Sequence, residues 1–237
     1  MIDPSRQRSS RLRVSEVFRS LQGEGPTAGL PATFLRLTAC NLRCRYCDTP
    51  YTWDFERFDV SKEVKTKALD ELAEEILAEP TDRLIVTGGE PMLQQHGLAA
   101  LFERLPTEQL IEIETNGTIL PDQALWDRVS QWNVSPKLAL SGLPREERII
   151  LPVLREFSQC ERAYLKLVVA EPTDMAEGDQ LVSDTAWPAQ RVVWMPEGTS
   201  AQRITLRGRW LADQALARKQ RFSTRLHVLL WGDQRGR

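Results

Sequence analysis

Short apolar runs of strand type alternate with helical patterns along most of the chain, and this alternation limits the folds open to it. The strand-type runs lie at residues 33–38, 84–86, 110–113, 132–134, 164–169, 192–195 and 227–230. Helical patterns lie at 61–79, 95–104, 121–130, 145–157, 173–181 and 200–221. Strands that alternate with helices predict a parallel sheet with right-handed crossovers. With about six such units instead of eight, the sheet would form an incomplete α/β barrel.

A polar or glycine-rich motif follows most of these runs. The cysteine loop CNLRCRYC follows the first run, TGGEP (87–91) the second and ETNG (114–117) the third, and SPK (135–137) and PEG (196–198) follow later runs. In parallel α/β barrels, the carboxyl ends of the strands form the rim that carries the active site. Each motif alone could be an ordinary turn. Together they predict one site at that rim, on a barrel whose open side suits a sizeable substrate.

Three of the four cysteines, Cys40, Cys44 and Cys47, fall within eight residues, whereas Cys160 lies far along the chain. A [4Fe–4S] cluster usually takes four protein thiolates, so a triplet leaves one iron open to another ligand. A structural zinc site needs four nitrogen or sulfur ligands, and the two histidines of the chain are not at pair spacing. Zinc, incidental buried cysteines and a site completed by Cys160 remain alternatives on spacing alone. The helical pattern around Cys160 favours a small buried apolar role.

Composition favours one soluble globular domain. Hydrophobic residues make up 41% and charged residues 27% of the 237 residues, which is ordinary for such a domain. A net charge of −2 and a pI near 5.9 give no general attraction to nucleic acid or to anionic membranes. We find no apolar stretch of membrane-spanning length and no secretory signal, so we expect a cytoplasmic protein. We expect residues 1–13 to be a disordered basic tail and residues 14–237 to form the single domain.

The motifs together resemble a known family. CNLRCRYC followed by TGGEP is similar to the CxxxCxxC pattern of the radical S-adenosylmethionine superfamily. SLQGEG (20–25), FLRLTACNLRCRYCDT (34–49), TGGEP, ETNG and SPK, in this order, resemble the 7-carboxy-7-deazaguanine synthases. The match runs from about residue 14 to residue 137 and is much weaker in the carboxy-terminal third. It implies a partial, modified (β/α)6 barrel of the radical S-adenosylmethionine type.

The resemblance also implies an activity. The family is a carbon–nitrogen lyase that contracts 6-carboxy-5,6,7,8-tetrahydropterin to 7-carboxy-7-deazaguanine with release of ammonia, on the way to queuosine and other 7-deazapurines. It implies a [4Fe–4S] cluster, S-adenosylmethionine and Mg²⁺ as cofactors, an electron donor such as a flavodoxin or ferredoxin, and a homodimer. Neither nucleic acid nor a membrane is an expected partner.

Site residues follow from the motif positions that match the family. The implied cluster ligands are Cys40, Cys44 and Cys47; the implied S-adenosylmethionine contacts are Tyr46, Cys47, Asp48, Gly89, Ser135, Pro136 and Lys137; the implied substrate contacts are Leu21, Gln22, Gly23, Arg36 and Thr87; and Thr49 is the implied magnesium ligand. Glu114 of ETNG is a candidate ring contact or proton acceptor.

Physical chemistry supports some of these assignments independently. Gln22 offers both a donor and an acceptor to the amide-like edge of a pterin. Arg36 lies in an apolar run, where a cation without an acid partner is costly, so a substrate carboxylate could supply the missing charge. Strand alternation alone equally allows Arg36 to face outward. Glu90 of TGGEP could accept from the ammonium group of the cofactor.

Two rival functions share parts of this pattern. An activase that installs a glycyl radical on a protein partner would have the same three-cysteine loop, but SLQGEG and ETNG argue against it. A non-catalytic iron–sulfur or zinc protein would use Cys160 as a fourth ligand.

Overall fold

One sheet organises the part of the chain that the computed structural model describes, residues 10–79 and 81–237. Its nine strands are β1 (Arg11–Leu21), β2 (Pro31–Leu37), β3 (Lys65–Ala68), β4 (Arg83–Gly88), β5 (Leu110–Thr115), β6 (Gln131–Val134), β7 (Ala163–Val169), β8 (Val192–Pro196) and β9 (Arg221–Phe222). The helices are α1 (Val60–Glu63), α2 (Leu69–Leu77), α3 (Gln95–Phe102), α4 (Gln123–Arg128), α5 (Arg145–Arg148), α6 (Leu151–Gln159), α7 (Pro172–Thr185), α8 (Ala201–Ala217) and α9 (Leu226–Trp231).

Most of the sheet is parallel. The strand order is β3-β1-β2-β4-β5-β6-β7-β8-β9. β1 pairs antiparallel with β2 and β3, and every pairing from β2 to β9 is parallel. The six longer parallel strands, β2 and β4 to β8, confirm the predicted partial barrel. Their shared direction brings the cysteine loop, TGGEP, ETNG, SPK and PEG to one rim.

The two faces of the sheet differ in polarity. On the outer face, strand residues such as Leu35, Ile113 and Leu165 pack with helix residues such as Leu72 and Phe157 in one large core. Inner-face residues that line a cavity include Arg36, Thr87, Glu114 and Lys166. Because neighbouring residues in a strand point to opposite faces, one apolar run can supply both the core and a polar interior.

The predicted helix at 61–79 is wrong as a single element. Asp59, whose carboxylate accepts from the Ser61 amide, caps the short helix α1. The chain is extended from Val64, and β3 then pairs with Arg11–Val14 of β1. Helix α2 follows and buries Leu69, Leu72, Ala73 and Ile76. The apolar spacing therefore predicted only the second half, because sheet pairing overrides helix propensity in the first.

Three further predictions need correction. The pattern at 145–157 splits into α5 and α6, with Pro152 in the first turn of α6, because proline has no N–H and its ring clashes with the carbonyl four residues back, so a helix can begin at Pro152 but not run through it. The run at 227–230 is helix α9 and not a strand, since a run of four apolar residues carries no period that separates the two. Strand β1 was missed, and it begins at Arg11, inside the segment predicted as a disordered tail. Residues 1–9 of that tail lie outside the described residues.

Within residues 10–79 and 81–237, no helix is long and apolar enough to cross a membrane.

Candidate active site

A cavity of about 530 Å³ opens at the carboxyl rim of the parallel strands. All the predicted site residues except one line this cavity. They are Leu21, Gln22, Gly23, Arg36, Cys40, Cys44, Tyr46, Cys47, Asp48, Thr49, Thr87, Gly89, Glu114, Ser135 and Lys137. Pro136 is buried and does not line the cavity. Residues that are distant in the sequence therefore share one space, as the strand-end motifs predict.

The cysteine loop leaves β2 through an unusual backbone turn. Ala39 has a φ of 72°, a left-handed conformation that costs a non-glycine residue energy. Two backbone hydrogen bonds hold it there, from the Ala39 amide to the Thr52 carbonyl at 2.8 Å and from the Glu90 amide to the Ala39 carbonyl at 2.8 Å. This turn directs Cys40 and the residues after it toward the cavity.

The three thiols of the loop are free and partly buried. Burial raises the pKa of Cys40 to about 12 and also raises that of Cys44. Donors nevertheless point at two of the sulfurs: the Leu42 amide lies 3.4 Å from Cys40 Sγ, and the Trp53 indole N–H lies 3.3 Å from Cys47 Sγ. Such donors tune and stabilise thiolates once a metal has replaced their protons.

The arrangement of the thiols fits a cluster better than a single ion. In the described part of the chain, no group of three or more His, Cys, Asp or Glu residues is close enough to hold one metal ion. Each thiolate of a [4Fe–4S] cluster binds a different iron, so its ligands need not meet at one point but must border one space, and Cys40, Cys44 and Cys47 all line the cavity. Cys160 ends α6 and borders a separate shallow pocket beside Trp126. A fourth thiolate from Cys160 is therefore not supported.

TGGEP lies directly against the cysteine loop. Gly88 has a φ of 125°, which only glycine adopts readily. A Cβ atom on Gly89 would lie 2.5 Å from the carbonyl carbon of Ala39 and 3.0 Å from the amide nitrogen of Cys40. Glycine at position 89 thus lets the two loops touch, and both loops border the cavity.

Glu90 does not have the role that the sequence suggested. Its carboxylate is fully buried and accepts from the Met92 amide at 3.0 Å, the Asn116 amide at 2.7 Å and the Thr115 hydroxyl at 2.8 Å. It does not line the cavity. Glu90 therefore links TGGEP to ETNG, and the suggestion that it accepts from a bound ammonium is wrong.

Lys137 brings a positive charge to the cysteine side of the cavity. Its ammonium donates to Ser135 Oγ at 3.3 Å, and its charge lowers the pKa of the Cys40 and Cys44 thiols against the larger effect of burial. Among the described residues, no carboxylate lies within ion-pair distance of Lys137. A ligand carboxylate could therefore take that place.

Arg36 faces the cavity, but it is not an unpaired cation. Its Nε donates to Glu16 Oε1 at 2.8 Å, and Glu16 also accepts from the Tyr51 hydroxyl at 2.9 Å and from Arg235 at 3.3 Å. The premise that Arg36 lacks an acid partner is therefore wrong. Its terminal nitrogens can still donate to a ligand, because the bond to Glu16 uses only Nε.

Glu114 lies on the inner face of β5, beside two predicted substrate contacts. Its carboxylate accepts from the Thr87 hydroxyl at 2.9 Å and from the Gln22 side-chain amide at 3.3 Å. Gln22 is almost fully buried, and its amide oxygen accepts from the Glu24 backbone at 3.2 Å. These bonds fix the amide orientation and leave one N–H for a ligand.

A buried ion network links the two sides of the cavity, and sequence reasoning missed its centre. Glu24 pairs with Lys166 at 2.5 Å and with Arg225 at 2.9 Å, and Arg225 also pairs with Asp48. Burial raises the pKa of Glu24, but the charges of Lys166 and Arg225 outweigh it and hold that pKa well below its usual value. Burial lowers the pKa of Lys166, but Glu114 and Glu24 raise it above its usual value. Both groups are therefore charged at neutral pH.

Some of this network had a signal in the sequence. Lys166 interrupts an otherwise apolar strand, and Glu24 lies inside SLQGEG. Arg225 and His227 had none, because Arg225 lies between two predicted elements and His227 begins a run that predicts a strand. Both line the cavity from the start of α9, and a Cβ atom on Gly23 would meet the His227 ring.

Comparison with known proteins identifies the family. The Radical SAM superfamily model matches residues 35–132. The 7-carboxy-7-deazaguanine synthase of Pyrobaculum aerophilum is 35% identical over 228 residues, covering 96% of this chain and 98% of that protein, and the synthase of Hyperthermus butylicus is 37% identical over 92% of both. The crystal structure of QueE from Escherichia coli superposes with a TM-score of 0.69 at 25% identity, covering 96% of this chain and all of that one. The chain therefore belongs to the 7-carboxy-7-deazaguanine synthase family of radical SAM proteins.

Proposed function

We propose that this chain contracts 6-carboxy-5,6,7,8-tetrahydropterin to 7-carboxy-7-deazaguanine with release of ammonia. The observation that carries the proposal is that the free thiols of Cys40, Cys44 and Cys47 line the same cavity as the polar cluster of Gln22, Thr87 and Glu114. A cavity of about 530 Å³ is within the usual range for a site that encloses small molecules. The glycyl-radical activase is not favoured, because its substrate is a protein.

The cofactor side of the cavity suits a charged, polar ligand. Cys40, Cys44 and Cys47 would hold the cluster, which with S-adenosylmethionine supplies a radical that abstracts hydrogen. Lys137 can receive the carboxylate of that cofactor, and Ser135 can donate to it. Tyr46, Asp48 and Gly89 complete this wall, while Pro136 would act through its backbone alone.

The substrate side suits a pterin with a carboxylate. Glu114 and Gln22 offer an acceptor and a donor to the ring edge, with Leu21, Gly23 and Thr87 beside them. The terminal nitrogens of Arg36 can bind the substrate carboxylate. The Thr49 hydroxyl, which lies 3.8 Å from Cys47 Sγ, is the proposed magnesium ligand. Mg²⁺ keeps several waters and takes few protein ligands, so one hydroxyl plus the substrate carboxylate would suffice.

The test is turnover by the anaerobically reconstituted enzyme. With reductant, S-adenosylmethionine and Mg²⁺, we expect 6-carboxytetrahydropterin to yield 7-carboxy-7-deazaguanine and ammonia in equal amounts. Glu114→Gln should reduce turnover, whereas Asp70→Asn, which breaks an exposed ion pair with Arg104 away from the cavity, should not. Formation of 5′-deoxyadenosine without deazaguanine product would refute the proposed substrate.

Partners and location are also proposals. We infer that a flavodoxin or ferredoxin reduces the cluster, that the protein is a homodimer and that it is cytoplasmic. Exposed Leu206, Leu216 and Leu230 on α8 and α9 support association, because oligomer interfaces use apolar side chains. Sedimentation equilibrium should give twice the 27.1 kDa chain mass. A monomer at micromolar concentration would refute the dimer.

A further inference from the structure

Lys166 differs from the other inner-face residues because it is a buried cation between two carboxylates. It lies in β7, and its side chain is 6% exposed. Its Nζ is 2.5 Å from Glu24 Oε2 and 3.6 Å from Glu114 Oε1. A buried ammonium is costly unless opposite charges compensate. Glu24 follows β1 and Glu114 belongs to β5, so one lysine connects three segments of the cavity wall.

The two contacts of Lys166 are not equivalent. The contact with Glu24 is a direct charge-assisted hydrogen bond, whereas that with Glu114 is longer than a hydrogen bond. Glu114 accepts instead from the neutral donors Thr87 and Gln22. Its side chain is 21% exposed, against 13% for Glu24, and it lines the cavity. Lys166 therefore attracts Glu114 without occupying all of its acceptor positions.

We propose that Lys166 is a positioning residue for the substrate, because it holds the Glu114 carboxylate in place to accept from the N–H donors of an aminopyrimidine ring. This inference rests on the proposed function, which supplies such a ring. Lys166 itself need not touch the substrate, because its closest partner is Glu24. Without the lysine charge, Glu24 would keep Arg225 as a partner, but Glu114 would be left with two neutral donors and the repulsion of Glu24.

The effect should be confined to the substrate side. Contacts of alternating charge run from Glu114 through Lys166, Glu24 and Arg225 to Asp48. Loss of the Lys166 charge breaks the first two contacts and leaves the Arg225–Asp48 pair at the cofactor side. Substrate binding should therefore change much more than binding of S-adenosylmethionine.

Four variants separate positioning from general stability. Lys166→Met removes the charge at similar length, Lys166→Gln does so while keeping polarity if the methionine variant does not fold, and Lys166→Arg keeps the charge. The matched control is Arg83→Met. Arg83 pairs with the buried Glu112 on the same inner face, and neither residue lines the cavity. The Arg83→Met substitution removes a comparable ion pair and leaves the residues that line the cavity unchanged.

The measurement is equilibrium binding of 6-carboxytetrahydropterin and of S-adenosylmethionine to the reconstituted enzyme, together with KM and kcat. We expect Lys166→Met to raise the Kd of the pterin by about tenfold or more, and to raise KM by a larger factor than it lowers kcat. Lys166→Arg should restore most of the affinity. Arg83→Met should lower Tm while leaving the pterin Kd unchanged.

Three results would overturn the inference. Pterin binding to Lys166→Met at wild-type affinity would refute it while leaving the proposed function intact. Equal losses of pterin affinity in Lys166→Met and Arg83→Met would show that Lys166 only stabilises the fold and does not position the substrate. Failure of the wild-type enzyme to bind the pterin would refute the proposed function, and the inference with it.

Discussion

Substitution of Gly89 by alanine should displace the cysteine loop and weaken cluster binding. The φ of Gly89 is not positive, so alanine meets no backbone strain and the effect is steric. The added Cβ would lie 2.5 Å from the Ala39 carbonyl carbon and closer still to its oxygen, whereas real Cβ contacts essentially never fall below 3.0 Å. Because the oxygen contact is the shortest, the two backbones must separate by about 1 Å to bring it to 3.0 Å.

The cost of that separation follows from the contacts it disturbs. The bond from the Glu90 amide to the Ala39 carbonyl, now 2.8 Å, would lengthen beyond useful geometry. Overpacking of about 1–3 kcal/mol together with one weakened hydrogen bond of about 1 kcal/mol gives a loss of about 2–4 kcal/mol. For a chain of this size, that loss lowers Tm by about 5–15 °C. The protein should fold, but Cys40 should no longer align with Cys44 and Cys47.

The assay combines thermal unfolding of the apoprotein with iron and sulfide content after anaerobic reconstitution. Gly208→Ala is the control, because an added Cβ in α8 meets only ordinary contacts, the nearest 3.4 Å away at Phe222. It should raise stability by about 0.5–1 kcal/mol and leave iron content unchanged. If Gly89→Ala retains the Tm and the iron content of the wild type, the close packing of TGGEP on the cysteine loop does not determine cluster binding.

Three further changes test other parts of the site. Alanine at Cys40, Cys44 or Cys47 should abolish the iron–sulfur absorbance, whereas Cys160→Ala should retain it, and loss of absorbance in Cys160→Ala would contradict the three-thiolate site. Arg36→Ala should weaken pterin binding about tenfold or more, far more than it slows cofactor cleavage without substrate, and equal losses would contradict its carboxylate role. Because the pKa of Glu24 is lowered on folding, its stabilisation is complete above its unfolded value near 4.5 and disappears as the pH falls through the lower folded value. Acid unfolding of Glu24→Gln should therefore depend less steeply on pH below 4.5, and identical profiles would contradict the network.

The sequence predicted the parts of the fold that have a local cause. Runs such as 164–169 and the motifs at their ends located β7 and its neighbours, because apolar strands and turn residues leave local patterns. Strand β1 escaped because its alternation of polar and apolar residues breaks at Ser15 and Glu16, where the pairing register with β2 also shifts, and because its pairing with β2 and β3 depends on distant segments. Helix α9 escaped because its apolar run is too short to show a period.

The candidate site also has one part that the sequence could predict and another that only the fold could reveal. Cys40, Cys44 and Cys47 are close in sequence, so their spacing alone suggested a site. Lys166 and Glu24 are 142 positions apart, and Arg225 and Asp48 are 177 apart, so no local pattern could pair them. A charged residue inside an apolar strand still carries information, because burial requires it to have partners. For Arg36 and Lys166 the sequence could therefore predict that a partner exists. Only the fold could identify the partner of Arg36 as Glu16 and the partners of Lys166 as Glu24 and Glu114.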